Sequence, residues 1–193
     1  MKSLTQLFSK ALLLSCITYT TLDAHSNTLY IEGAGGLGLS DTQDITEVSY
    51  TYEQGYLASL SLGYHFNLWR VEIQQRYKSD DLYSFTKLSS YSTKADGKLT
   101  NSSQMLNLYY SSGYNKSNFI TSVGLGVGVS AMEIENTLKE SGILSAQALL
   151  NVGYKLTEEF TLLGNYAYFY TFKGDNFQAK GDNTLSLALR YNF

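Results

Sequence analysis

The chain has 193 residues, a net charge of -3, 17 tyrosines, 16 glycines and no proline. That length suits one domain, and the near-neutral charge balance argues against a nucleic-acid partner. Proline cannot donate to a strand ladder, so its absence favours an all-β chain of long paired strands.

Lys2 and Lys10 precede the apolar run Ala11, Leu12, Leu13 and Leu14, and a small residue, Ala24, closes the segment. This reads as a secretory signal peptide, residues 1–24, whose removal leaves a domain of residues 25–193. Its apolar run is shorter than the roughly 20 residues of a transmembrane helix. Cys16 leaves with it, so the mature chain carries no thiol to mispair in an oxidising compartment and offers no cysteine metal site.

From Thr28 onward the apolar residues Leu29, Ile31, Leu37 and Leu39 alternate with Tyr30, Glu32, Ala34, Gly36 and Gly38, the period of two that marks a strand. Tyr56, Ala58, Leu60, Leu62, Tyr64 and Phe66 then carry an apolar face on even numbers. After a tight turn at Asn67 and Leu68, Trp69, Val71, Ile73 and Tyr77 oppose Arg70, Glu72, Gln74, Arg76 and Lys78. Leu106, Leu108, Tyr110 and Tyr114 mark a fourth strand, and Phe119, Thr121, Val123, Leu125, Val127 and Val129 a fifth whose other face is glycine and serine. Leu144 to Tyr154 and Phe160 to Tyr170 continue the pattern, and Leu185, Leu187, Leu189, Tyr191 and Phe193 make an eighth strand.

Connections alternate between short ones (67–68, 115–118, 155–159) and long ones (41–54, 79–103, 131–141, 171–182), the arrangement of outer-membrane barrels with periplasmic turns and external loops. The slightly negative mean hydropathy would by itself suggest a soluble protein, but the two faces of a barrel strand average out. Aromatics decide between the two. Tyr64, Phe66, Trp69, Tyr114, Phe119, Tyr154, Phe160, Tyr191 and Phe193 cluster on the apolar face beside the short turns, as an interfacial girdle requires. The expectation is an eight-stranded antiparallel up-and-down transmembrane β-barrel in a bacterial outer membrane, surrounded by outer-membrane lipids.

With the signal peptide, the alternating strands and terminal Phe193 in place, the chain resembles the small outer-membrane barrels related to the OmpA transmembrane domain, OmpX and the opacity-type surface proteins. The resemblance implies that Tyr191 and Phe193 are read by the barrel-assembly machinery. It also implies a structural or adhesin-like role in which external loops meet host surface proteins. A narrow porin is the alternative, and a lipid A or phospholipid-modifying enzyme a more distant one.

Glu32, Arg70, Glu72, Gln74, Arg76 and Arg190 fall on the inner face and are expected to form a lumen salt-bridge network, since an eight-stranded interior is just wide enough for side chains to fill. His25 stands at the signal-peptide junction and His65 near a short turn, so neither can serve as general base to a loop serine. The acidic pairs Asp80/Asp81 and Glu133/Glu135 match no calcium-loop spacing; no catalytic residue, cofactor or metal is expected. Residues 79–103 carry Tyr83, Phe85, Lys87, Tyr91, Lys94 and Lys98 among serines, a mixture suited to recognition.

Overall fold

The computed structural model describes residues 27–39, 42–45, 48–52, 55–87, 91–94, 97–112, 118–135 and 138–193. The segment read as a signal peptide, His25 and Tyr114 lie outside the described residues. Eleven strands follow in chain order: β1 (Asn27–Gly38), β2 (Thr42–Ile45), β3 (Val48–Tyr52), β4 (Tyr56–Phe66), β5 (Trp69–Lys87), β6 (Tyr91–Lys94), β7 (Lys98–Ser112), β8 (Phe119–Ile134), β9 (Leu138–Lys155), β10 (Phe160–Thr171) and β11 (Lys180–Asn192). Eight of them, β1, β4, β5, β7, β8, β9, β10 and β11, pair antiparallel in that order, and β11 returns to β1 to close the barrel. No helix occurs among the described residues.

The two faces alternate along the barrel strands as the sequence does. Leu60, Leu125 and Leu187 are 57%, 71% and 67% exposed on the outer wall, whereas Arg70, Arg190, Ser103 and Ser145 are 0% exposed inside. This is a soluble barrel turned inside out, and a continuous apolar outer surface of this kind needs an apolar surrounding. Aromatic residues pair across neighbouring strands at the short-turn end: Trp69 with Tyr110, Phe119 with Tyr154 and Phe160 with Tyr191, at ring-centroid separations of 5.3, 5.1 and 5.1 Å. The tightest turn places Asn67 at φ 57°, a left-handed conformation that asparagine tolerates.

Large inward side chains face glycines across the ladder. Tyr30 pairs with Gly63, Tyr109 with Gly124 and Asn107 with Gly126. A Cβ built on any of the three glycines would enter the side chain opposite it. Small residues on one strand therefore make the room in which the neighbouring strand's bulk lies.

The long connections are shorter than the sequence suggests. β5 continues to Lys87, β7 begins at Lys98, β8 runs to Ile134 and β9 begins at Leu138. The expected recognition loop is thus largely paired backbone: Tyr83, Phe85 and Lys87 belong to β5, Tyr91 and Lys94 to β6, and Lys98 opens β7. β3 pairs with one side of the β5 extension and β6 with the other, while β2 pairs with β3, giving a four-stranded sheet in the order β2-β3-β5-β6 beyond the barrel. Alternation marks a strand only where its two faces meet different surroundings. Between Asp80 and Lys98 the residues show no sustained alternation, and the ladder continues there all the same.

β9 carries one further irregularity. Its register with β8 passes from Ser130↔Ile143 to Ala131↔Ser141, leaving Gly142 as an extra residue at φ 84°. A one-residue insertion exchanges the faces of everything beyond it, so Leu138 and Glu140 pair with the inward-facing Ile134 and Met132.

Packing of this kind has a direct check. Gly124→Val should destabilise the barrel by about 1–3 kcal/mol through overpacking against Tyr109. Gly33→Val, whose Cβ meets nothing within 4 Å, should leave the unfolding midpoint of the refolded barrel nearly unchanged.

Candidate functional site

The lumen is the site that the fold constructs, and it is layered. Near the short turns, closure of the barrel sets Glu32 of β1 directly opposite Arg190 of β11. Arg190 donates from Nη2 and Nε to Glu32 Oε2 at 2.6 and 3.0 Å. Its Nη1 lies 3.4 Å from His65 Nε2, and its guanidinium carbon lies 4.5 Å from the centre of the Tyr30 ring. All four residues are at most 4% exposed.

Glu72 is satisfied differently. Its Oε2 accepts the Tyr30 hydroxyl at 2.7 Å, and its Oε1 accepts Asn107 Nδ2 at 3.0 Å and the Tyr109 hydroxyl at 3.3 Å. Arg70, expected in an ion pair, instead lies against aromatic faces, 3.7 Å from the Tyr109 ring centre and 5.6 Å from that of Tyr30. Among the described residues no hydrogen-bond partner meets its three guanidinium nitrogens. A desolvated cation over a ring gains about 2 kcal/mol. The neighbouring hydroxyls that give those rings their orientation end on Glu72. Two arginines and two glutamates, all buried, leave this layer without net charge.

An amide layer follows. Gln147 Nε2 donates to Asn107 Oδ1 at 2.7 Å and to Gln74 Oε1 at 3.0 Å, crossing between β9, β7 and β5. Asn151 donates to Asn165 at 2.8 Å, and Asn165 reaches Glu32 Oε1 at 3.4 Å. Buried serines satisfy one another, Ser103 with Ser130 at 2.9 Å and Ser130 with Ser145 at 2.6 Å. They have no catalytic geometry, because His65 sits at the other end of the lumen beside Arg190.

Toward the long loops a second ionic layer gathers residues that the sequence reading did not bring together. Lys78 Nζ lies 2.9 Å from Asp80 and 2.7 Å from Asp182, and Arg76 lies 3.5 Å from Asp182 and over the Phe169 ring at 4.2 Å. A cavity of about 20 Å³ beside Lys78, Asp182 and Thr171 has room for about one water molecule. Above it, Leu99, Met132, Ile134, Ile143 and Phe177 form a buried apolar cluster. Asp182 and Phe177 lie in a stretch that the sequence marks as a connection, and in the sequence Tyr30, Tyr109 and Asn107 show only as the face opposite the apolar one. Inward position opposite a glycine was the available signal for the last three.

Of the remaining sequence candidates, Tyr191, Phe193 and Lys98 lie apart from the lumen. Tyr191 and Phe193 stack edge-on at 5.1 Å on the outer wall. The backbone holds this end of the chain on both sides, Asn192 N donating to Glu159 O at 2.8 Å and Phe193 N to Leu29 O at 2.9 Å. Lys98 is exposed, 4.0 Å from Asp81. The side chains of Tyr83, Phe85, Lys87, Tyr91 and Lys94 lie outside the described residues.

Removing one member of a buried charged group leaves the others uncompensated, at a cost of roughly 3–5 kcal/mol. Glu32→Ala and Glu72→Ala should each lower the unfolding midpoint accordingly, with no rise in planar-bilayer conductance. An open pore at unchanged stability in either variant would contradict a lumen filled by its own side chains.

Solved structures share this architecture. Neisserial surface protein A is 16% identical, with a TM-score of 0.62 over 86% of this chain and 97% of that one. The outer membrane protein OprG from Pseudomonas aeruginosa is 14% identical, with a TM-score of 0.61 over 87% and 96%. Ail, the attachment invasion locus protein of Yersinia pestis, solved with the heparin analogue sucrose octasulfate, is 16% identical, with a TM-score of 0.50 over 87% and 98%. No curated protein matches the sequence. The model of the outer membrane protein beta-barrel domain matches residues 9–193, and with the closed barrel and its apolar outer wall this places the chain in that family, as a β-barrel of the bacterial outer membrane.

Proposed function

We propose that this protein is a sealed structural barrel that presents a β-sheet outside the cell for surface interaction. The observation that carries this reading is an asymmetry between the lumen and the long-loop end. The lumen is occupied by two ionic layers and an amide layer, while the long-loop end extends into the four-stranded β2-β3-β5-β6 sheet. Long connections of such barrels face the exterior, so the sheet stands where a partner would meet it.

Its segments are rich in tyrosine, serine and lysine, residues that supply contact area and adaptable hydrogen bonds at low entropic cost. Host surface proteins are the partner class that this composition suits, through the segment bearing Tyr83, Phe85, Lys87, Tyr91, Lys94 and Lys98. The heparin analogue bound by the Yersinia attachment protein makes a sulfated polysaccharide a second probe. Outer-membrane lipids contact the apolar wall, and the barrel-assembly machinery engages Tyr191 and Phe193. No catalytic step enters this reading.

The register supplies a clean excision for the test. Asp81 pairs with Lys98, so residues 82–97 can be replaced by a tight turn without disturbing the barrel ladder below. The intact refolded barrel should bind immobilised matrix proteins, serum proteins or heparin, and the excised form should lose at least tenfold in affinity. Equal binding by both forms would remove the sheet from the function, and binding by neither would leave a purely structural barrel.

A further inference from the structure

The connection from β10 to β11 is folded against the long-loop end of the barrel. Phe177 is 1% exposed within the cluster of Leu99, Met132, Ile134 and Ile143, which come from β7, β8 and β9. Its turn is fixed by Gly174 N donating to Phe177 O at 2.9 Å, and its base by Phe172 N donating to Leu144 O at 2.9 Å. One side chain outside the connection holds it down. Glu140 Oε1 accepts Asp175 N at 2.7 Å, and Oε2 accepts Asn176 N at 2.9 Å. Gly174 leaves space for that carboxylate, since a Cβ there would meet it.

Glu140 can reach only because of the Gly142 bulge. Without the extra residue, the face that Glu140 shares with Met132 would be exchanged with that of Lys139. The apolar cluster is contiguous with the ionic layer beneath it, because Leu99 and Met132 also line the small cavity beside Lys78 and Asp182. Lifting Phe177 would therefore open a route from outside to that layer.

We propose that residues 172–179 are a hinged strap closing the outer mouth of the barrel, with Phe177 as its stopper and Glu140 as its catch. The hydrogen bonds from the Asn176 and Asp175 amides hold the Glu140 carboxyl below its ordinary range. Charged groups on adjoining residues include Lys139 and Glu133, joined to each other at 2.6 Å, Lys173 and Asp175 of the strap itself, and Lys180 and Asp182 beside Met132 at the cavity beneath. A depressed carboxyl contributes its stabilisation at neutral pH and loses it as pH falls through the lowered value. Acid should therefore release the strap only below the usual carboxylate range, near pH 4.

The test uses Met132→Cys, a buried reporter beneath the strap, with a membrane-impermeant maleimide at neutral pH. The reporter alone should label slowly. Adding Glu140→Ala should speed labelling at least tenfold and lower hydrogen-exchange protection at residues 174–177, while the barrel keeps its heat-modifiable migration in a gel. Phe177→Ala should expose the reporter with Glu140 intact. Unchanged labelling and protection in the Glu140→Ala protein would overturn the proposal. So would loss of the folded barrel in both Glu140→Ala and Glu140→Gln, which would make Glu140 a folding residue.

Discussion

Inside hydrocarbon a backbone N–H or C=O has no water to turn to, and every strand must find a partner on both sides. For this chain that requirement falls on the pairing of β1 with β11, whose register runs from Tyr30↔Asn192 to Gly38↔Thr184. Closure removes the two edges that would otherwise be exposed, and it fixes which side of each strand faces lipid. It also brings Glu32 against Arg190, so the covalent ends of the domain are joined by both a ladder and an ion pair. The aromatic girdle, the filled lumen and the external sheet all depend on that seam.

Once the wall is closed, the lumen must reconcile charge with confinement. Ions leaving water need close partners, and the barrel provides them in two distinct ways. Arg190, Lys78 and Arg76 meet carboxylates directly, whereas Arg70 rests on tyrosine faces whose hydroxyls are held by Glu72 and whose bulk is admitted by opposing glycines. The second arrangement spreads one negative charge through three donors, and it gives Tyr30 and Tyr109 defined positions that packing alone would leave loose.

Much of this was legible in the residues. The eight barrel strands, their faces, the short turns at 67–68 and 155–159 and the aromatic girdle follow from a two-phase environment that stamps its period on the sequence, while the turn expected at 115–118 lies almost wholly outside the described residues. The Glu32–Arg190 contact follows from closure. What escaped the sequence lies where that contrast ends. The β5 extension and β6 pair as ladders in a stretch without sustained alternation, and Gly142 shifts the phase of β9 inside a stretch that had no phase to read. The sequence suggests an ion pair for Arg70 because composition records charge but not the competing attraction of a ring. Phe177 gave no signal, since an aromatic in a polar connection does not announce whether it turns inward.

The last strand of the domain has a bearing on how the molecule is made. β11 brings Arg190 to Glu32 and Asp182 to Lys78 and Arg76, so each ionic layer lacks a member until that strand arrives. A nascent sheet of the earlier strands would keep those groups wet, its inner face remaining hydrophilic and its edges still seeking partners. Insertion of β11 would dehydrate both layers together with zipping of the seam, turning a gradual accumulation of hairpins into a final all-or-none event. A chain paired out of register at the seam would leave Glu32 without Arg190 and deprive Lys78 and Arg76 of Asp182.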